Sequence, residues 1–389
     1  MKKILSITIL LSLIVFITSC ISSGNTQEKQ KIKSDHIISH PDEIVEKEII
    51  PINYSFHDTI EILPKGTNGT AGKNATYVYF GDWPKTIKSK NIVVNEDEKE
   101  VHGAFTYYKG SDGYWYVKCI EKKYKWAENL TYSDGSSVSD EIKYFKVEPI
   151  KWCILTGNYN ESNKALLLSE DILFAEAYYD NYINEMYRSV DGKDIYPSNY
   201  KESRIRAYLN GYSYITIDVS KENPKQELNL DFENKGFLQT AFSNNAQSLI
   251  AISKIDNSDA SNIHYPAERI PIWNTYRDDY WCEDTYDKVF LLSEKEVTEG
   301  AFKFGRLDQY GIREVRIINP TDFAKANNAY EYFSWDGNVF SFWWLRTPMN
   351  GDWRLVRFVA YQGCSADNMS LTDSCGGIVP AICVSINEK

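Results

Sequence analysis

Histidine and cysteine, the residues most often used for proton transfer, nucleophilic attack and metal binding, are scarce here: five and seven, against 54 carboxylates. His36 and His40 have i,i+4 spacing, which suits a metal only on a stable helix, and their polar surroundings read as solvated linker. His57 lies in the same stretch, and His102 and His264 stand apart. No HExxH, Ser-His-Asp spacing, G-x-S-x-G, P-loop or dinucleotide glycine pattern occurs. The carboxylates form no recognisable acid/base pair. Arg277-Asp278-Asp279 and Trp335-Asp336-Gly337-Asn338 are rich in oxygen but lack the regular spacing of a calcium loop, and read as solvated loops. Cys119, Cys153, Cys282, Cys364, Cys375 and Cys383 form no CxxC pair and no zinc spacing with histidine. Disulfides among the last three and free buried thiols both fit. These residues imply a non-catalytic protein with no cofactor and no metal.

The densest aromatic and cationic stretch is Phe342-Trp343-Trp344-Leu345-Arg346-Thr347-Pro348. On a strand, Trp343 and Trp344 must point to opposite faces, so one is expected inward and the other against a second layer or a ligand. Arg346 shares the face of Trp344, and Pro348 is expected to end the pairing. Beyond it, Trp353, Arg354, Arg357, Tyr361, Asp367, Asn368 and Asp373 alternate with apolar residues. Aromatic anchors mixed with adaptable polar groups suit a recognition surface, so these seven are the candidate ligand contacts.

The N-terminus sets the compartment. Met1-Lys2-Lys3 is basic, Ile4 to Ile17 is an uncharged apolar run, and Ile17-Thr18-Ser19-Cys20 follows. The run is too short for a comfortable span and has the layout of a secretory signal. Small residues before a cysteine resemble a bacterial lipobox, which implies that Cys20 becomes the first mature residue and carries lipid. Residues 1–19 are then the signal peptide, 20–74 a lipid-anchored flexible tether, and 75–389 a single large folded domain. About 54 flexible residues span roughly 40 Å. The formal charge is −11; an acidic surface argues against nucleic acid and against docking on anionic lipid. The expected partners are the membrane, through the lipid on Cys20, and an unidentified extracellular ligand.

From Ala75 the texture is mainly β. Tyr77 to Pro84 reads as a strand ending in a turn. Phe105 to Tyr108 and Tyr114 to Val117 flank Gly110-Ser111-Asp112-Gly113 as a hairpin. Tyr144 to Val147 and Ile150 to Leu155 read as two short strands around Glu148-Pro149, and Ala165 to Ser169 as a buried strand. A helical middle follows. Ser203 caps a helix that stops at Asn210-Gly211, and Phe237 to Ile250 is partly helical. Asp218 to Asn234 reads as a polar surface insertion. Asp287 to Ser293 is another buried strand, Glu294 to Val297 opens a short helix, and Thr321 caps one more. Phe340 to Leu345, Leu355 to Ala360 and Gly377 to Val384 are the closing strands. The 28 Tyr, 10 Trp and 17 Phe suit a β-rich exported protein.

Several of these segments, in order, resemble an exported bacterial family, domain of unknown function 6273. Phe80-Gly81-Asp82-Trp83-Pro84 is similar to its opening FGxWPQ element, with Lys85 for Gln. Val147-Glu148-Pro149-Ile150-Lys151-Trp152 is similar to EPIKW, and Ser203 to Asn210 to SxIRxWLN, with Tyr208 for Trp. Trp343 to Pro348 matches the WWLR[S/T]P hallmark, and Gly377-Ile378-Val379-Pro380-Ala381 is similar to GVRPA, with Val379 for Arg. The resemblance runs over residues 77–384. It implies an α+β fold similar to C-type lectins and formylglycine-generating enzymes, closing with antiparallel strands. It brings no catalysis: the cysteine pair of those enzymes has no clear counterpart, and the EPN and WND calcium motifs of sugar-binding lectins are absent. Within it, Trp343, Trp344, Arg346 and Pro348 become scaffold. The expectation is a surface-exposed bacterial lipoprotein that binds an extracellular ligand such as host matrix, glycan or protein. The alternatives are the target of a diversity-generating retroelement, with a variable C-terminal face, and an exported enzyme related to formylglycine chemistry.

Overall fold

The strand Ile142–Thr156 is the spine of the protein. In the computed structural model, which describes residues 54–67, 75–122, 124, 130–179, 188–190, 193–196, 198–218, 226–258, 282–298, 316–333, 339–348, 355–359, 365–370 and 374–386, it pairs along one edge with Thr76–Ile87. Along the other it pairs first with Trp115–Ile120 and then with Ala165–Ser169. The sequence suggests two short strands here. Instead one strand of 15 residues runs through Glu148-Pro149. Pro149 falls in the gap between the two successive partners on that edge, a position where a missing N–H is tolerated.

The phase of burial slips at the same place. Phe145 and Val147 are buried before it, Ile150 and Trp152 after it. A one-residue slip turns a strand's side chains to the other face, so the partner must bulge. It does: Tyr79 lies opposite Lys151 and Asp82 opposite Pro149, leaving Phe80-Gly81 against Ile150. Gly81 takes the left-handed conformation this bulge needs, with φ +68°. Thr76–Ile87 therefore continues past Pro84, where a turn was expected.

The large sheet has ten strands. Its main path runs Ile250–Ala251, Ala381–Val384, Ala165–Ser169, Ile142–Thr156, Trp115–Ile120, Phe105–Gly110, Val94–His102. The expected hairpin is present, with Tyr107 opposite Val117. The edge strand Val94–His102 is blunted by Glu96, Asp97, Glu98, Lys99 and Glu100. A second sheet runs Ser365–Ser370, Leu355–Val359, Trp343–Pro348, Gly377–Ile378, Phe174–Ala175. Gly377 to Val384, expected as one closing strand, serves both sheets: Gly377–Ile378 joins the small one and Ala381–Val384 the large one. Val379-Pro380 carries the chain between them.

Among the described residues helices are few and short. Ser203 caps Arg204–Asn210 by accepting from the Arg206 N–H, and Gly211 ends it with φ 76°. Thr321 caps Asp322–Ala326. Ser243 caps Asn244–Leu249 and so divides the Phe237–Ile250 region into two helices. Ser213–Asp218 pairs with Gln226–Asp231, making part of the expected polar insertion a hairpin. Lys288 separates Thr285–Asp287 from Val289–Phe290, where one strand was expected. The result is an α+β protein dominated by antiparallel sheet. Among the described residues no helix is long and apolar enough to cross a membrane.

Aromatic residues fill the core. Trp83, Trp152, Trp343 and Trp344 are buried. Trp83 packs on Phe105, Phe174, Phe237 and Phe323 at centroid distances of 4.9 to 6.2 Å. Both upstream indoles also donate to backbone carbonyls, Trp83 to Leu173 at 3.0 Å and Trp152 to Phe80 at 2.7 Å.

One correction concerns the N-terminal segment. Residues 54–63, placed in the tether on composition, dock on the domain. Glu61–Ile62 pairs with Tyr79 and Val78, and Tyr54 stacks on Tyr107 at 5.2 Å.

The bulge yields a prediction. A Cβ on Gly81 would lie 2.4 Å from the Phe242 ring and 2.9 Å from the Ala241 carbonyl, whereas one on Gly113, at φ +83°, meets nothing within 4 Å. Gly113→Ala should cost about 1–2 kcal/mol for the left-handed backbone alone. Gly81→Ala should cost a further ~1–3 kcal/mol for overpacking. Urea unfolding of the two variants measures the difference.

Candidate functional site

Every residue of Trp343–Pro348 is buried. It is the middle strand of the small sheet, and because successive side chains point to opposite faces, burial along its whole length puts both tryptophans inside. Trp343 Nε1 donates to the Arg316 carbonyl at 3.1 Å and Trp344 Nε1 to the Glu176 carbonyl at 3.0 Å. Trp344 packs on Tyr178 and Phe358. The second indole therefore meets a protein layer, and these two residues are scaffold.

Pro348 was expected to end the pairing. It still lies opposite Val356, beyond a bulge that sets Leu345-Arg346-Thr347 against Arg357 alone. The bulge presses Arg346 and Thr347 onto the helix Glu294–Thr298. Arg346 Nη1 donates to Glu296 Oε2 at 2.6 Å and to the Leu291 carbonyl at 2.7 Å; Nη2 donates to Glu296 Oε1 at 3.1 Å. The Tyr159 hydroxyl donates to Glu296 as well. Burial alone would raise the Glu296 carboxyl, but the Arg346 guanidinium and these hydrogen bonds hold it below the ordinary range. Glu296 also closes the helix: its carboxylate accepts from the Ser293 N–H at 2.7 Å, while Ser293 Oγ accepts from the Glu296 N–H at 3.2 Å. This is a capping box. Its signature, Ser293-Glu294-Lys295-Glu296, stands in the sequence and was the signal for a partner that sequence reasoning missed.

The same segment collects other buried arginines. Arg206 pairs with Asp287, its Nε lying 2.9 Å from both carboxylate oxygens, and Arg316 Nε donates to the Val297 carbonyl at 2.8 Å. Arg357, a candidate ligand contact, is buried, with Nε 3.6 Å from Glu294 Oε2. Its burial does not suit an exposed contact. A second bulge faces it from the other side. Val356 lies opposite Met369 and Phe358 opposite Ala366, so Asp367-Asn368 stands against Arg357. Ser365–Ser370 is the sheet's edge strand. The structure thus brings three of the seven candidates, Arg357, Asp367 and Asn368, to one bulged edge. Trp353, Arg354, Tyr361 and Asp373 lie outside the described residues, as do Cys20 and both oxygen-rich loops.

The thiols of Cys119, Cys282 and Cys383 are outside any disulfide. Burial pushes Cys119 and Cys282 up to about 11 and Cys383 to about 12, which leaves them protonated and unreactive at neutral pH. No group of three or more His, Cys, Asp or Glu among the described residues is placed to hold a metal ion. One proton-active pair does stand out elsewhere: His57 Nδ1 lies 2.9 Å from Asp82 Oδ1. Sequence reasoning missed it because His57 looked like linker.

A family model described as Domain of unknown function (DUF6273) matches residues 162–386. No curated protein and no solved structure matches the chain. The matched region contains both sheet-joining strands, the capping box and the bulged edge. His57 and Asp82 lie outside it.

Replacing Arg346 by Met should cost about 3–5 kcal/mol, because Glu296 is then buried without its cation. Adding Glu296→Leu should recover part of that loss, a non-additivity read by a double-mutant cycle in urea. The depressed Glu296 value fixes the pH sign: its contribution is present above the ordinary 4.5 and is lost as pH falls through the folded value. The gap between wild type and Arg346→Met should therefore narrow in that acid range.

Proposed function

The chain belongs to the DUF6273 family, and from that premise we propose that it is a surface-exposed bacterial lipoprotein whose domain binds an extracellular ligand without catalysis. The lipid on Cys20 would anchor it, and a C-type-lectin-like or formylglycine-enzyme-like arrangement is the finer fold proposed for the α+β domain. The ligand would be a host matrix component, a glycan or a protein. Its contacts are assigned to the segment after Pro348, with Trp353 and Tyr361 as aromatic anchors and Arg354, Asp367, Asn368 and Asp373 as polar contacts.

The observation that carries this reading is the bulged edge at Arg357. Bulges break ladder pairing and re-aim side chains, and they are enriched next to functional sites. Here two of them flank one residue, on the edge side of a sheet whose central strand is wholly buried. A rigid floor carrying an irregular edge is the usual way a scaffold presents contact groups.

Two experiments test the reading. Trp353→Ala combined with Tyr361→Ala should lower binding to matrix proteins, glycan arrays or host cells at least tenfold while the thermal midpoint stays put; unchanged binding rejects the site. Cys20→Ser should move the protein from the detergent phase to the aqueous phase and abolish fatty-acid labelling; retained labelling rejects the anchor.

A further inference from the structure

The segment Tyr54–Leu63 is held on the domain by an unusual concentration of contacts on one carboxylate. Asp82 is 1% exposed, on the bulged strand Thr76–Ile87. Its Oδ2 accepts from the His57 backbone N–H at 2.8 Å and its Oδ1 meets His57 Nδ1 at 2.9 Å. Burial, and after it the Asp82 charge, hold the Tyr54 phenol well above its ordinary range. In return the Gly81 N–H donates to the His57 carbonyl at 2.9 Å. No lysine or arginine among the described residues pairs with Asp82, so the imidazole, when protonated, is its counter-ion. The rest of the segment is tied by the pairing of Glu61–Ile62, by Tyr54 on Tyr107 and by Ile60 and Leu63 packed on the core. Phe56 lies 4.5 Å from the His102 ring, Ser243 Oγ donates to Asp58 at 2.6 Å, the Tyr54 N–H to Glu100 at 3.2 Å and the Leu63 N–H to the Tyr77 carbonyl at 2.8 Å.

We infer that Tyr54–Leu63 is a proton-operated clasp, closed when His57 is charged against Asp82 and loosened when it is neutral. The imidazole is 42% exposed, so protons reach it, whereas the carboxylate is shut away and depends on its partners from the segment. The charged groups facing His57 are acidic: Asp82 from the sheet, and Asp58 and Glu61 from its own segment. The hydrogen bond to Asp82 outweighs partial burial and raises the His57 value above 6.5. A raised histidine adds stability that is complete below 6.5 and lost as pH rises through the folded value. His102, the titratable group across Phe56, moves the other way, because burial lowers it. Its effect falls below 6.5, so the window above that value belongs to His57. This inference stands apart from the ligand-binding reading. Only its consequence rests on the proposed anchor: an open clasp would lengthen the tether by about 33 Å at ~3.3 Å per extended residue.

Hydrogen–deuterium exchange of the full mature protein at pH 6.5 and pH 8.5 tests the clasp, with rates corrected for intrinsic base catalysis. The His57, Leu63 and Gly81 amides should lose protection several-fold at pH 8.5 relative to core amides such as Leu167. In His57→Gln that pH dependence should vanish. Equal pH responses in wild type and variant, or no response in wild type, would overturn the inference. Should the variant leave the segment undocked at both values, NMR titration of His57 in the wild-type protein decides: a value above 6.5 supports the clasp and one at or below 6.5 refutes it. Neither readout involves lipid labelling or ligand binding, so failure here is distinguishable from failure of the proposed function.

Discussion

The small sheet, the helix Glu294–Thr298 and the Tyr159 turn are held together by one carboxylate. Glu296 caps its own helix through the Ser293 N–H, grips the Arg346 guanidinium at two atoms and accepts the Tyr159 hydroxyl. Bringing these charges out of water costs several kcal/mol per ion, and a buried pair is stabilising only when geometry and further hydrogen bonds offset that. Here the remaining lone pairs and N–H groups have partners, including the Leu291 and Asp256 carbonyls. Apolar packing could hold these elements against one another, but it tolerates sliding; a two-atom ion pair tied to a capping box admits a single register. We regard specificity of docking, more than net stability, as the contribution of this network.

Two consequences follow for the site. The arginines at 206, 316, 346 and 357 meet the segment from Asp287 to Val297 from different elements, so this short stretch of chain positions both sheets. The bulges around Arg357 are then anchored from below by Glu294, and the irregular edge they create stands on a fixed base. At Asp82 the logic is reversed. Asp82 is fixed in a bulged strand, while its partner arrives on a short terminal segment that packs on the core through Tyr54, Ile60 and Leu63. The first arrangement suits a rigid support and the second a reversible attachment.

Much of the local structure was legible. Ser203 and Thr321 were recognisable as caps, Gly211 as a stop and Gly110 to Gly113 as a hairpin turn, because each signal depends on contacts within about one turn of chain. Trp343, Trp344 and Arg346 stood out as an ordered motif, and all three are buried in the structure. The candidate site was less legible. Arg357 looked like a surface contact because it belongs to a stretch that mixes aromatic and polar groups with apolar ones, yet its environment is set by Glu294, from a distant part of the chain. His57 looked like linker because the composition around it reads as a tether, and Asp82 lies 25 positions away.

What the chain determined by itself was the vocabulary: which stretches pair as strands, where helices begin and stop, and that aromatic side chains go inside. Tertiary structure decided the grammar. It joined two strands into one across Glu148-Pro149, divided Gly377 to Val384 between two sheets and gave Arg346 a partner 50 residues away. The physical reason is range. Caps, turns and alternation express energies between near neighbours and are written locally. The phase of a long strand, the partner of a buried charge and the docking of a terminal segment depend on surfaces that exist only once the sheets have formed.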